Sequence, residues 1–198
     1  MTRQPGTNPW TALGEVTRAA SDPGQPTVLF DAVERALAHV IGHKLFTILD
    51  VDMEMGDLER LYTNMAEAYP VKGRKTMGPT PWGARVLDGK QPYLGRTRDD
   101  IRWAFYDHEL IESLGCGSVI YLLVMYGGAL LGTVNMLHEE SYYMDDDLDT
   151  GVPFAALLAP ALLARRISNT GTPRGPGGRG GAPRISNTGT PRGPERRE

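Results

Sequence analysis

Cysteine is almost absent from this chain, since Cys116 is the single one among 198 residues. One thiol excludes an internal disulfide framework and a zinc site built on several thiolates, and it removes the dithiol exchange that many redox enzymes need. The chain also lacks a run of about 18 uncharged apolar residues, and its first residues lack the apolar stretch of a secretory signal. We therefore expect a cytoplasmic protein with no membrane partner.

Basic residues are scarce outside the end of the chain. Residues 165–198 contain eight arginines and two glutamates, so the preceding residues are strongly acidic although the formal net charge is only −3. An acidic body does not favour nucleic acid as a specific partner. The sequence RISNTGTPRGP occurs at residues 166–176 and again at 184–194, and the Gly/Pro/Arg-rich composition around it predicts disorder.

The chain is predicted to have three parts: an N-terminal extension (residues 1–25), a folded domain (26–165) and a disordered tail (166–198) with its 11-residue repeat. Within the domain, Pro26 opens a helix whose apolar residues recur with helical period to Val40. Two strands follow (45–51 and 58–64), then an irregular crossover with short helices, a hairpin, and a final helix (145–163) that Pro153 and Pro160 could kink. This order predicts a small α+β domain, in which a central antiparallel sheet has the terminal helices on one face and the crossover on the other.

The predicted hairpin lies between Leu114 and His138, where Gly127-Gly128 interrupts a long apolar run. A Gly-Gly pair favours a two-residue turn because both central residues of a type I′ turn need positive φ. Uninterrupted pairing outward from this turn places Tyr126 opposite Ala129, Ile120 opposite Asn135, Leu122 opposite Thr133 and Ser118 opposite Leu137.

This register predicts two unlike faces, because side chains alternate along a strand. One face carries Ser118, Ile120, Leu122, Val124, Leu131, Thr133, Asn135 and Leu137. The other carries Val119, Tyr121, Leu123, Met125, Leu130, Gly132, Val134 and Met136, with no charged or amide group. The second face is therefore interpreted as pure core, and the three polar side chains of the first are interpreted as facing a cavity.

The order of elements and several short segments resemble the GAF domain, a small-molecule sensing module related to PAS domains. The segments are LERLYTN, AYPVKGRK, TPWG, DHELIESLGCGS and LLGTVNMLH, which are similar to those of stand-alone bacterial GAF proteins. The resemblance covers about residues 26–165. It implies a GAF/PAS-like fold with the ligand between one sheet face and the crossover, a sensory or regulatory function without catalysis, and a homodimer formed through the terminal helices.

The candidate ligand-binding residues combine the crossover with the polar hairpin face. They provide aromatic walls, an acid, a base, a thiol and three small polar groups: Trp82, Trp103, Phe105, Asp107, His108, Cys116, Ser118, Thr133 and Asn135. The competing interpretation is structural, with the aromatic residues filling the core, Asp107 capping a helix, His108 in solvent and Cys116 an ordinary buried residue. No catalytic or metal-ligating residue is predicted, and no cofactor is identified.

The charge of the crossover suggests what the ligand could be. Basic residues outnumber acidic ones there, and on an acidic body they could attract an anionic small molecule. These residues are Lys72, Arg74, Lys75, Arg85, Lys90, Arg96, Arg98 and Arg102.

Three other functions are compatible with the same resemblance. Some GAF-like proteins reduce free methionine-(R)-sulfoxide, and this chain would have to do so with Cys116 and an external thiol. Some GAF domains tether a bilin through cysteine, but Gly117 stands here in place of the usual histidine. A structural module with a filled pocket is the third.

Overall fold

The computed structural model describes residues 7–170, which form one antiparallel sheet with helices on both faces. The strands are β1 (Leu45–Asp52), β2 (Asp57–Thr63), β3 (Arg74–Thr76), β4 (Tyr93–Gly95), β5 (Ser118–Tyr126) and β6 (Ala129–His138), in the order β3-β2-β1-β6-β5-β4. The helices are α1 (Pro9–Ala19), α2 (Thr27–Val40), α3 (Pro81–Gly83) with a following π-helical turn (Ala84–Asp88), α4 (Arg98–Ala104), α5 (His108–Ser113), α6 (Asp145–Ala156) and α7 (Ala159–Thr170). The predicted α+β architecture is confirmed.

The terminal helices cover one face of the sheet, as predicted. Helix α2 begins directly after Pro26 and buries the predicted apolar stripe, in which Val33 and Leu37 have no exposed surface. This stripe packs in one core with Phe154 of α6 and with sheet residues such as Ile48. Burial of this apolar area is the main stabilising contribution to this half of the domain.

The crossover between β2 and β5 covers the opposite face and forms a second core around Trp82, Val86 and Ile111. It also contains β3 and α4, two elements that the sequence analysis does not predict. Helix α4 begins with a capping box, in which the Thr97 hydroxyl accepts from the Asp100 amide and the Asp100 carboxylate accepts from the Thr97 amide. This box satisfies two backbone donors at the helix start.

The hairpin forms with its turn at Gly127-Gly128 and with Tyr126 opposite Ala129, as predicted, but the rest of the predicted register is wrong. A β-bulge leaves Leu131 as an extra residue, because Met125 pairs with Leu130 and Val124 pairs with Gly132. Beyond the bulge all partners are displaced by one: Ile120 is opposite Met136, Leu122 opposite Val134, and Ser118 opposite His138. A one-residue displacement exchanges the two faces of a strand.

The predicted composition of the two hairpin faces is therefore also wrong. The helix-side core contains Ile120, Leu122, Val124, Leu131, Val134 and Met136. On the crossover side, Thr133 and Asn135 of β6 are paired with Leu123 and Tyr121 of β5. Ser118 is on the helix side, so the three polar residues do not share one face.

The final helix is two helices, α6 and α7, with a bend of 43° between them. Pro153 lies within α6 and Pro160 in the first turn of α7, which agrees with the predicted kink. No single helix within residues 7–170 is long and apolar enough to cross a membrane; the bent pair passes that test together, by length and composition only. In the fold, Phe154, Leu158 and Leu162 of this pair are buried against the sheet.

Both ends of the described chain pack on the domain. Helix α1, within the predicted N-terminal extension, buries Ala12 and Val16 in the helix-side core. Arg166, the first residue of the predicted tail, lies in α7 and donates to the carbonyl oxygen of Leu131 at 2.9 Å. That carbonyl belongs to the bulge, so α7 supplies a hydrogen bond there. The predicted disorder over residues 171–198 lies outside the described residues.

Candidate functional site

A cavity of about 150 Å³ lies between the crossover and the sheet face beneath it. Side chains of the strands form its floor: Leu45, Thr47, Leu49, Leu58, Arg60, Tyr121, Asn135 and Leu137. Residues of the crossover form its walls: Tyr69, Gly73, Arg74, Trp82, Ala104, Phe105, Tyr106, Asp107 and Ile111. Most of the lining is apolar or aromatic with a few polar groups, which is the usual composition of a small-molecule site.

Asn135 is the amide of the cavity floor, and it is 3% exposed. The pairing of β1 with β6 places it opposite Thr47, and its Nδ2 donates to the Thr47 hydroxyl at 3.1 Å. Its Oδ1 is buried and has no hydrogen-bond partner among residues 7–170. Leaving a buried amide oxygen unpaired costs roughly 1–3 kcal/mol, so a bound donor would relieve this cost.

Three aromatic rings form one wall of the cavity. The Tyr121 ring on β5 lies 5.0 Å from the Trp82 ring and 5.4 Å from the Phe105 ring, with the Phe105 plane only 25° from parallel. Trp82 is held on the short helix α3, where the Thr80 hydroxyl accepts from the Gly83 amide. The Trp82 Nε1 donor is buried without a partner in the described part of the chain.

Arg60, Tyr69 and Asp107 form a polar cluster in the lining of the cavity. The Tyr69 hydroxyl donates to Asp107 at 2.6 Å, and the Arg60 guanidinium lies over the Tyr69 ring at 4.6 Å from its centre. Burial, together with the nearby Asp107 carboxylate, raises the pKa of Tyr69. Tyr69 therefore stays a neutral donor to Asp107 at any physiological pH. Asp107 is at the N-cap position of α5, but its side chain makes no cap hydrogen bond.

Arg74 is a second cation of the lining, and its charge is offset by acids. It pairs with Asp57 at 3.1 Å and with Glu59 at 2.8 Å. The same Glu59 oxygen, Oε2, accepts from Arg165 of α7 at 2.7 Å, and Arg165 also approaches Asp50 at 3.7 Å. Arg74 thus links the cavity to a network of ion pairs between the sheet and α7.

Four of the candidate site residues line the cavity, namely Trp82, Phe105, Asp107 and Asn135. Thr133 faces the crossover side but is outside the lining, and its buried hydroxyl has no partner in the described region. Ser118 is fully buried elsewhere and donates to the Glu139 carbonyl at 2.7 Å. The bulge explains the difference, because it places Ser118 and Asn135 on opposite faces of the sheet.

The other candidate residues lie outside the lining of the cavity. Trp103 is 41% exposed and packs on the Tyr93 ring at 5.2 Å. His108 is half-buried, with its Nδ1 3.9 Å from Glu112. Cys116 is 2% exposed and does not line the cavity, and burial raises the pKa of its thiol. A buried neutral thiol is a poor nucleophile, so the burial of Cys116 does not favour the reductase alternative or a bilin attachment, although the nearby Lys44 charge acts in the opposite sense.

Most cations of the crossover are engaged away from the cavity. Arg96 pairs with Asp145, Arg98 with Glu140, and Arg102 with Asp99 and Glu112. Arg85 lies over the Tyr93 ring, and Lys90 donates to the Gly128 carbonyl. Of the predicted basic set, Arg74 alone is among the described lining residues.

The sequence analysis misses Arg60, Tyr69 and Tyr121, three polar or aromatic members of the lining. A bulge between β1 and β2 leaves Leu61 unpaired, because Ile48 pairs with Tyr62 and Leu49 with Arg60. Tyr62 therefore packs among the terminal helices while Arg60 faces the cavity. The available signal was Arg60 in the alternation of Leu58, Arg60 and Tyr62; the bulge turns Tyr62 to the other face and leaves Arg60 beside Leu58 in the lining.

No group of three or more His, Cys, Asp or Glu side chains suited to a metal ion occurs within residues 7–170. The site is thus described by its cavity, its aromatic wall and its few polar groups.

Comparison with solved structures identifies the fold as that of GAF domains, which confirms the resemblance at the level of fold. The chain is similar to the GAF domain of a phosphoenolpyruvate-protein phosphotransferase from Coxiella burnetii, with a TM-score of 0.69, 18% identity, and coverage of 82% of this chain and 97% of that one. It is similar to the corresponding Acinetobacter domain, with a TM-score of 0.64, 11% identity, and coverage of 80% and 94%. A third is the GAF domain of a two-component sensor histidine kinase from Bacillus halodurans, with a TM-score of 0.58, 13% identity, and coverage of 71% and 95%. No family model and no curated protein matches the sequence.

Proposed function

We propose that this protein is a sensory or regulatory module that binds a small molecule in the cavity and does not catalyse a reaction. The observation that carries the proposal is Asn135, a buried amide in the cavity floor whose Oδ1 has no partner in the described residues. Trp82 supports it with an unpartnered Nε1 in the same lining. Buried polar groups are normally paired, so unpartnered atoms on two residues that line one cavity favour a ligand that pairs with them.

The size of the cavity fits this function. Its volume of about 150 Å³ equals that of an engineered protein cavity that binds benzene. The aromatic wall adds favourable apolar contact for a planar ligand. The similar solved domains come from a sensor histidine kinase and from phosphotransferases, which supports a regulatory context.

Native mass spectrometry of the full chain, purified from its own host, tests the proposal. We expect a retained small molecule that is lost from the Asn135→Leu variant, because leucine keeps the volume of the side chain and removes its amide. The melting temperature should change little, which would separate loss of the ligand from loss of the fold.

Ser118→Ala is the matched control, because Ser118 is also a buried polar residue of this hairpin but lies on the other sheet face. It should retain the small molecule. A wild-type protein that carries no small molecule, with Asn135→Leu altering only stability, would indicate a filled structural module instead.

We also propose that the protein is a homodimer in the cytoplasm that associates through its terminal helices. Helices α1 and α6 contact each other, and each exposes a large apolar side chain, Trp10 at 79% and Val152 at 45%. Exposed apolar groups on neighbouring helices are typical of association surfaces. Cys116 is a free thiol, which suits a reducing compartment.

A further inference from the structure

Arg60 is the cation of the cavity lining whose charge no acid directly offsets. Its Nη1 donates to the Pro70 carbonyl at 3.0 Å, and its guanidinium lies over the Tyr69 ring. Its Nε is buried without a hydrogen-bond partner in residues 7–170, and no carboxylate of those residues lies within salt-bridge distance of it. This differs from Arg74, the other lining arginine, which pairs with both Asp57 and Glu59.

Arg60 is half-buried, and even partial removal from water disfavours a charge that forms no salt bridge with the described residues. Desolvation lowers the pKa of Arg60, and the neighbouring tyrosine and Asp107 only partly oppose that effect. A guanidinium nevertheless stays charged in proteins, so the cost of its burial is relieved only by an anion or by hydrogen-bond acceptors. Carboxylates suit this role because their two oxygens match the parallel N–H groups of the arginine fork.

The rest of the lining favours an apolar body on that anion. The rings of Trp82, Phe105 and Tyr121 form one wall, and the floor between them and Arg60 is mainly aliphatic. Among the described lining residues Asp107 is the one acid, and its Oδ2 already accepts the Tyr69 hydroxyl. The cavity therefore offers one unpaired cation at its edge and an apolar aromatic interior.

We propose that the ligand is a small monocarboxylic acid with a planar apolar body, bound with its carboxylate on the Arg60 guanidinium and its body against the aromatic wall. The Asn135 amide at the floor then pairs with any further polar group that the body carries. This inference rests on the proposed function and specifies the chemical class of its ligand. It differs from attraction by the surface cations of the crossover, most of which are engaged in other contacts.

Calorimetric titration of the full chain with three matched probes tests the inference. Benzoate has the carboxylate and a ring that matches the cavity volume, benzamide is its neutral counterpart, and benzylamine is a cation of similar size. We expect saturable binding of benzoate, with benzamide and benzylamine at least about ten-fold weaker, because charge-assisted hydrogen bonds are the stronger ones. Arg60→Met should weaken benzoate about 10- to 100-fold and weaken benzamide by a much smaller factor, because a neutral carbonyl makes the weaker hydrogen bond to arginine.

Arg98→Met is the matched control, because it removes a crossover arginine that lies outside the lining and pairs with Glu140. Its affinity for benzoate should stay within about three-fold of wild type. Arg60→Lys keeps the charge without the fork and should give an intermediate affinity. If near-ultraviolet circular dichroism shows that Arg60→Met is misfolded, the preference of the wild type for benzoate over benzamide decides the question.

Equal binding of benzoate and benzamide, unchanged benzoate affinity in Arg60→Met, or preferred binding of benzylamine would overturn the inference. Failure of this inference can be distinguished from failure of the proposed function. A neutral or cationic molecule retained in native mass spectrometry contradicts the carboxylate and leaves the sensory function standing. Absence of both a retained molecule and binding of all three probes contradicts both.

Discussion

Buried titratable side chains depend on the fold for their chemical state, and three of them illustrate this. Burial raises the pKa of Cys116 and of Tyr121, so both stay protonated inside the crossover core. The pKa of His43 shifts in the opposite direction. The protonated imidazole is the charged form, so burial disfavours it and lowers the pKa. Its imidazole lies 5.0 Å from the Phe46 ring, and its Nε2 is 3.3 Å from the Glu34 carbonyl oxygen.

We expect His43 to make stability depend on pH near neutrality. The unfolded chain protonates this residue near pH 6.5, whereas the folded protein does so only at lower pH, so the unfolded state binds more protons in that interval. Its contribution is therefore complete above about pH 7 and falls as the pH drops from about 6.5 towards the lower folded pKa. Thermal unfolding at pH 7.5 and pH 6.0 measures the effect.

His43→Gln is the control, because glutamine stays neutral throughout. Glu34, whose pKa burial raises, acts in the opposite sense by stabilising the fold in acid, and both proteins retain it. Between pH 7.5 and pH 6.0, the melting temperature of the wild type should fall by more than that of His43→Gln. Equal decreases would contradict a buried neutral histidine.

At the scale of elements, the bulge at Leu131 determines which side chains reach the cavity. It displaces the pairing of β5 with β6 by one residue and so places Tyr121 rather than Ile120 beside Asn135. The carbonyl of Leu131 accepts from Arg166 of α7, so the irregular point of the hairpin is also a point of attachment for the last helix.

The sequence predicts regular elements well because their signals are local. Pro26 and the helical period locate α2, and the Gly-Gly pair locates the hairpin turn. The bulge escapes prediction because Leu130 and Leu131 are both apolar, so the alternation carries no sign of an extra residue there. At the second bulge the same effect turns Tyr62 away from the face that carries Arg60. The positions of Trp82 and Phe105 are predicted correctly, because the crossover directs their side chains into the cavity without any dependence on the hairpin register.

Gly132 allows β6 to lie close to β1 and α7 beside the bulge. A Cβ at this position would meet the Leu49 carbonyl oxygen and would lie 2.7 Å from the Leu162 Cδ1. We expect Gly132→Ala to lower the free energy of unfolding by about 1–3 kcal/mol, the usual cost of overpacking. Chemical denaturation followed by circular dichroism measures this change.

Gly78→Ala provides the comparison, because a Cβ at Gly78 meets nothing within 4 Å. Its effect should stay within about 0.5 kcal/mol. If the two variants unfold at the same denaturant concentration, close packing at Gly132 does not contribute to stability.

At the scale of the whole molecule, the sheet separates two layers with different roles. The helix side is a continuous apolar core formed with α1, α2, α6 and α7. The crossover side holds the cavity within a smaller core. Exposed apolar groups on α1 and α6 thus lie on the layer away from the cavity, which suits association that leaves the cavity accessible.

Light scattering with size-exclusion chromatography should show a particle of twice the 21.6 kDa chain mass. The double variant Trp10→Ser, Val152→Asp should be monomeric, because it removes the exposed apolar groups of α1 and α6 and adds a charge. Tyr126→Ser removes a ring at the hairpin tip that is 62% exposed, and it should leave the dimer intact. A monomeric wild type, or a dimer that survives the double variant, would count against this surface.

The bulge at Leu131 has a consequence for the comparison of related chains. In an alignment, a one-residue gap or insertion between the Gly127-Gly128 turn and Asn135 moves the side chains that follow it to the opposite face of β6. A related chain with such a gap therefore has a different residue in the cavity floor, even where the surrounding residues are identical. The number of residues between the turn and Asn135 is therefore a more informative marker of a shared site than the identity of the apolar residues between them.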